Sequence, residues 1–195
     1  MTGLQYADTA TQLNNFAEKI SGYLNISMPL KAPANWREAF SQLKIYLSQI
    51  KNNRKKVIFF DELPWIATAR SGFLEAFGYF WNDWASRNNI MVVICGSAAG
   101  WMINKVVHHK GSLHNRITKL IHLKPFTLSE TEQFLKTAHI TLNRYQIIQL
   151  YMITGGIPHY LKEIKKGKSV AQQIDKMCFS ANGLLKEDLI NCTLR

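Results

Sequence analysis

Asp61 and Glu62 are adjacent carboxylates, and they follow directly on the apolar run Val57-Ile58-Phe59-Phe60. Four consecutive apolar residues suit a strand buried on both faces, as in a parallel sheet. In open α/β sheets, ligands bind beyond the carboxyl ends of the strands. The two acids fall at that end, which is the layout of a Walker B element. There, the first carboxylate helps to hold Mg²⁺ on nucleotide phosphates, and the second orients or polarises an attacking water. The plain alternative is a strand closed by a charged turn.

A phosphate cradle of the form G-x-x-x-x-G-K-[ST] would complete such a site. No segment of the 195 residues fits it. Gly96 to Gly100 lacks the lysine, and Gly155-Gly156 is followed by neither Lys-Ser nor Lys-Thr. Gly167-Lys168-Ser169 has no glycine five residues earlier. The sequence therefore carries groups for hydrolysis without the loop that binds triphosphate.

A second apolar run, Ile90-Met91-Val92-Val93-Ile94-Cys95, ends at Gly96-Ser97. Between the two runs lies a stretch with Leu74, Phe77, Tyr79, Phe80, Trp81 and Trp84, which Ser71 can cap as a helix. Aromatics at that density read as core. Strand, helix, strand implies a crossover, so both strands should deliver their carboxyl ends to one sheet edge. Residues 117–123 alternate as a third strand, with Arg116 at its entrance and Pro125 closing it. Residues 98–110 read as helical, with Trp101, Met102 and Val106 inward. His108-His109 is no metal pair, because adjacent helical residues do not face each other.

Upstream, a helix is expected over residues 11–24, then a loop from Asn25 to Ala34, then a helix capped by Asn35 that buries Trp36, Phe40, Leu43, Leu47 and Ile50. Downstream, Thr127-Leu128-Ser129-Glu130 fits a capping box, and the pattern stays helical to residue 179. Gly155-Gly156 ends one helix, Pro158 suits the first turn of the next, and Ser169 can cap another.

The formal net charge is +11, and residues 101–195 hold 14 basic against 6 acidic side chains. An excess of this kind favours a polyanionic partner, nucleotide or nucleic acid. Lys162, Lys165, Lys166 and Lys168 form one cluster; its simplest reading is a solvated face. Cys95, Cys178 and Cys192 are too widely spaced for a disulfide framework or a metal motif. No apolar run approaches a membrane span and no secretory signal is present, so the cytoplasm is the expected location.

In this order, Val57–Trp65, Cys95-Gly96-Ser97-Ala98, Leu113–Ile117, Pro125-Phe126 and Gly155–Leu161 resemble the AAA+-like ATPases of the STAND class, in the branch known as archaeal ATPases. The resemblance implies a partial P-loop NTPase α/β core over residues 1–126, with a parallel sheet flanked by helices. An all-helical lid over 127–182 and the start of a truncated C-terminal extension over 183–195 would follow. It implies ATP and Mg²⁺ as ligands, with Asp61 acting on Mg²⁺ through water and Glu62 preparing the nucleophile. Ser97 matches the sensor position near the γ-phosphate. Arg116 matches an arginine finger, which usually acts on a neighbouring subunit and so points to a homo-oligomer. Gly156 and Pro158 match an element whose proline packs against the base. The family's P-loop strand lies between the strand ending at Ser97 and the one beginning near Arg116, so the chain is expected to be an internal fragment. Two outcomes compete with a simple ATPase domain. One is a non-catalytic basic module for nucleic acid or a partner protein. The other is a subunit whose sheet is completed by another polypeptide.

Overall fold

The Asn35 side chain accepts a hydrogen bond from the Glu38 amide and starts helix α2, Trp36–Gln49. The preceding helix, α1, spans Thr9–Leu24. These elements belong to a computed structural model that describes residues 1–24, 30–52, 54–108, 111 and 113–186. Residues 25–29 of the expected Asn25–Ala34 loop, His109, and residues 187–195 of the expected C-terminal extension lie outside the described residues. The chain divides into two compact units, Met1–Leu120 and Ile121–Arg195.

In the first unit, β1 (Lys56–Phe60) and β2 (Ile90–Ile94) pair in parallel, with Phe60 opposite Ile94. Helices α3 (Leu63–Ile66) and α4 (Phe73–Asp83) connect them. Helix α5 (Ala99–Met102) follows β2 and runs into a π-helical turn, Ile103–Val107, that buries Val106. Ser71, the expected cap of α4, lies one residue too early. Gly72 takes the cap position at φ +66°, and the Ser71 hydroxyl accepts from the Phe73 amide. Thr2 forms a single parallel bridge to Asp61, on the side of β1 away from β2.

Aromatic rings fill the core of this unit. Trp36 and Phe73 lie 4.8 Å apart, Phe60 and Phe73 5.3 Å, and Phe40 and Phe80 5.1 Å, mostly edge to face. Such pairs contribute about 0.5–1.5 kcal/mol beyond their burial. Phe60 is the last residue of β1 and is fully buried, so it anchors the chain immediately before Asp61.

Two expectations need correction. The continuous apolar run of β1 predicts burial on both faces, but only one face is covered. Val57, Phe59, Met91 and Val93 are 57, 46, 43 and 38 % exposed. The physical reason is that successive side chains alternate across the sheet, and the described helices cover the Phe60 face alone. Residues 117–123, expected as a third strand, form no strand. Alternation supplies a face but not a hydrogen-bonded neighbour. Among the described residues the ladder contains only β1, β2 and the Thr2–Asp61 bridge, and Leu120, Ile121 and Leu123 are exposed.

The second unit is helical among its described residues. Helix α6 (Leu128–Thr137) starts with the expected capping box between Thr127 and Glu130. Helix α7 spans Arg144–Thr154, α8 Pro158–Leu161, and α9 Val170–Ile174. Leu135, Ile147, Leu150, Leu161, Ile164 and Val170 form its core. Among the described residues no helix is long and apolar enough to cross a membrane.

Candidate functional site

The parallel register brings the carboxyl ends of β1 and β2 together, so Asp61 and Glu62 meet the segment Cys95-Gly96-Ser97. Backbone bonds lock the two ends: the Cys95 amide donates to the Phe60 carbonyl, and the Leu63 amide to the Cys95 carbonyl. Gly96 allows a close approach, because a Cβ there would lie 2.6 Å from Cδ of Pro64.

Asp61 is held on both carboxylate oxygens. Oδ1 accepts from the Cys95 thiol at 2.8 Å, and Oδ2 from the Thr2 hydroxyl at 3.2 Å. The Asp61 carboxylate favours the protonated thiol and opposes the thiolate, and partial burial adds to this, so the Cys95 pKa is raised.

Glu62 sits in the left-handed region at φ 49°, ψ 52°. For a residue with a Cβ this costs about 1–3 kcal/mol and persists only where the surroundings over-determine it. Here it reverses the chain between β1 and α3. One carboxylate oxygen, Oε2, then accepts from the Ser97 hydroxyl at 3.2 Å and faces the Ser97 amide at 3.4 Å.

The structure thus joins three of the sequence candidates, Asp61, Glu62 and Ser97, at one sheet edge. Arg116 belongs to the same unit; its side chain is exposed, and its amide closes a turn onto the Leu113 carbonyl. Gly156 and Pro158 belong to the second unit. Gly156 adopts φ +71°, and its carbonyl accepts from the Phe126 amide at 2.9 Å. A Cβ at Gly156 would lie 2.1 Å from the Phe126 carbonyl oxygen, so the close approach this glycine permits is to Phe126. Pro158 opens α8 as its first residue.

Residues 4–164 match a family described as an ATPase domain predominantly from Archaea. The chain belongs to that family. Over 134 residues it is 25 % identical to the uncharacterized protein MJECL04 of Methanocaldococcus jannaschii, covering 69 % of this chain and 27 % of that protein. Its fold is similar to the Walker-type ATPase PABY2304 of Pyrococcus abyssi, with a TM-score of 0.60 at 20 % identity, covering 91 % of this chain and 55 % of that one. The chain therefore spans about a quarter of the first relative's length and about half of the second's.

Sequence reasoning about this ATPase-family chain overlooked Thr2 and Cys95, which occupy the oxygens of Asp61. Cys95 was visible as the last residue of the second apolar run; nothing in the local sequence marks Thr2. Gln12 was also missed. It lies one turn into an amphipathic helix, where a polar residue reads as solvent-facing.

Proposed function

We propose that this chain contributes the hydrolytic edge of a MgATP site, with Asp61 toward the metal through water, Glu62 toward the attacking water and Ser97 toward the γ-phosphate. The observation that carries the reading is the direct contact of Glu62 with Ser97 beside Asp61, at the carboxyl edge of a parallel strand pair, in a chain of the ATPase-domain family.

The residues suit Mg²⁺ in kind. Mg²⁺ keeps several waters and takes one or two carboxylates plus substrate phosphates. Asp61 offers hard oxygens that accept hydrogen bonds from neutral donors, Thr2, Cys95 and the backbone amide of Glu62. Among the described residues no group of three acidic, cysteine or histidine side chains forms a closed metal cage. When bound, the ion would neutralise charge on the phosphates. The work of this chain is local. Asp61 presents its carboxylate at the strand end, Glu62 presents an acceptor for a water proton, and Ser97 keeps that acceptor oriented until a phosphate oxygen or water replaces it.

The phosphate cradle is proposed to come from polypeptide beyond these 195 residues. A strand of such a segment would pair at the sheet edge, and the open apolar face of Val57, Phe59, Met91 and Val93 would receive the layer packed against it. That face is contiguous with the edge of β2 that has no ladder partner among the described residues. In the same reading, residues 127–182 act as a lid over the nucleotide with Pro158 against the base, and the exposed Arg116 serves a neighbouring subunit. A second reading, a basic module for nucleic acid, draws on Lys162, Lys165, Lys166 and Lys168, all exposed; phosphate binding of that kind collapses as salt rises.

Equilibrium binding of MgATP to the purified chain, beside an Asp61→Ala control, tests the first reading. Weak or no binding by the isolated chain is expected, together with negligible turnover. Turnover that disappears in Glu62→Gln would overturn the assignment of the cradle to another segment. Binding indifferent to Asp61 would overturn the role given to that carboxylate.

A further inference from the structure

Gln12 is 1 % exposed, one turn into α1, and its side-chain amide is fully engaged. Its Oε1 accepts from the Leu4 amide at 3.2 Å. Its Nε2 donates to the Leu4 carbonyl at 2.7 Å and to the Trp65 carbonyl at 3.2 Å. Toward Leu4 the side chain behaves as a neighbouring peptide would, taking both backbone groups of one residue. Toward Trp65 it acts as a cap. Helix α3 has only four residues, and the Ala67 amide returns to the Leu63 carbonyl, so Gln12 supplies the partner that the Trp65 carbonyl needs.

The two segments tied by Gln12 bracket the site. Leu4 follows Gly3, whose amide donates to the Asp61 carbonyl at 2.8 Å. Gly3 is packed so closely that a Cβ would lie 2.7 Å from the Glu62 carbonyl oxygen and 2.8 Å from Cγ1 of Ile66. Trp65 lies three residues after Glu62, and its amide donates to the Glu62 carbonyl at 3.0 Å. Glu62 is thus clamped between Gly3-Leu4 on one side and α3 on the other, and Gln12 is the bolt across both.

We infer that Gln12 is the positioning residue of the site: by pinning Leu4 and the end of α3 it holds Glu62 in its left-handed conformation, and so holds the Glu62 carboxylate on Ser97. The functional meaning rests on the proposed role of Glu62, but the test does not.

The test is hydrogen exchange by mass spectrometry on the full chain, comparing Gln12→Leu and Gln12→Glu with the parent. Gln12→Leu keeps the volume and removes all three bonds. Exchange over residues 62–67 is expected to rise by about tenfold or more, the effect of losing a buried partner, while α6 and α7 stay unchanged. Gln12→Glu gives the signature that packing alone would not produce. The carboxyl group it introduces can donate to a backbone carbonyl when protonated and cannot when ionised. After correction for intrinsic rates, protection of 62–67 in this variant should therefore be nearer the parent's at low pH and fall as pH rises, whereas Gln12→Leu shows no such trend. Unchanged exchange at 62–67 in Gln12→Leu overturns the inference. A rise spread evenly over the first unit overturns it too, because Gln12 would then be a general core residue. Failure of MgATP to bind leaves these exchange results untouched and bears only on the role of Glu62.

Discussion

Replacing Gly156 by alanine separates two reasons for a glycine in the Gly-Ile-Pro segment. If the glycine exists to let a nucleotide approach, the variant should fold normally and lose only binding. The structure supplies a packing reason, which can stand beside the first and predicts a loss of stability as well. Gly156 has φ +71°, a region that costs an L-residue about 1–2 kcal/mol. The added Cβ would stand 2.1 Å from the Phe126 carbonyl oxygen and 2.9 Å from the Tyr151 ring. Tyr151 can swing aside, but the Phe126 backbone cannot do so without stretching the bond from its amide to the Gly156 carbonyl. Overpacking of this kind costs about 1–3 kcal/mol, and a lost backbone bond adds about 0.5–1.5 kcal/mol. The sum is roughly 2.5–6.5 kcal/mol, against a total domain stability of about 5–15 kcal/mol.

Gly155 is the internal control. It too is left-handed, at φ +59°, but a Cβ there meets nothing within 4 Å. Gly155→Ala should therefore cost only the backbone term, about 1–2 kcal/mol. Hydrogen exchange by mass spectrometry across a urea series reads peptides of the second unit apart from those of the first. All five tryptophans, at 36, 65, 81, 84 and 101, lie in the first unit, so their fluorescence reads that unit separately. The expected result is a transition in the second-unit peptides that moves clearly further toward low urea in Gly156→Ala than in Gly155→Ala, with the tryptophan transition nearly fixed. Equal losses in the two variants would refute the argument, since the Phe126 contact would then contribute nothing.

Two further outcomes follow from the hydrogen bonds around carboxylates. Cys95 is exposed, yet its thiol is held against Asp61 and its pKa lies above the ordinary 9.0; iodoacetamide at pH 8 should alkylate it several-fold more slowly than an unstructured cysteine, and Asp61→Asn should speed the reaction, so equal rates with and without Asp61 would sink the contact. Glu130 accepts from the Thr127 amide and hydroxyl, which hold its carboxyl below the usual 4.5. Because the folded value is depressed, the capping box is fully in place above the unfolded pKa, and its contribution is lost as pH falls through the folded one. A carbon-detected titration of Glu130 that returns a midpoint at or above 4.5 would contradict this.

Features set within one turn of chain were legible in the sequence. Asn35 needs only the amide of Glu38, and Thr127 needs only Glu130, so both helix starts could be read from spacing. The two apolar runs, each bounded by polar and turn residues, identified β1 and β2, whereas Leu150-Tyr151-Met152-Ile153, an apolar run of similar length, lies in helix α7. Asp61, Glu62 and Ser97 could be placed on one edge because parallel pairing follows from a strand, a helix and a strand. Apart from the one-residue slip from Ser71 to Gly72 at the start of α4, the failures turn on a distant partner. Residues 117–123 have the alternation of a strand, but pairing is a property of two segments, and one segment's side chains cannot declare it.

The same principle explains what the sequence hid at the site itself. The left-handed turn at Glu62 has no glycine to mark it. It is imposed from outside, by Gly3, Leu4 and Gln12, 50 to 59 residues earlier in the chain. A residue that supplies chemistry has a recognisable type, whereas a residue that supplies position is recognisable only by what it touches. Gln12 is chemically ordinary, and its meaning lies entirely in three hydrogen bonds to two backbone segments. The site's orientation is thus more sensitive to that amide than composition suggests. An acid turned onto Ser97 by a strained backbone keeps that aim only while both sides of the turn are held.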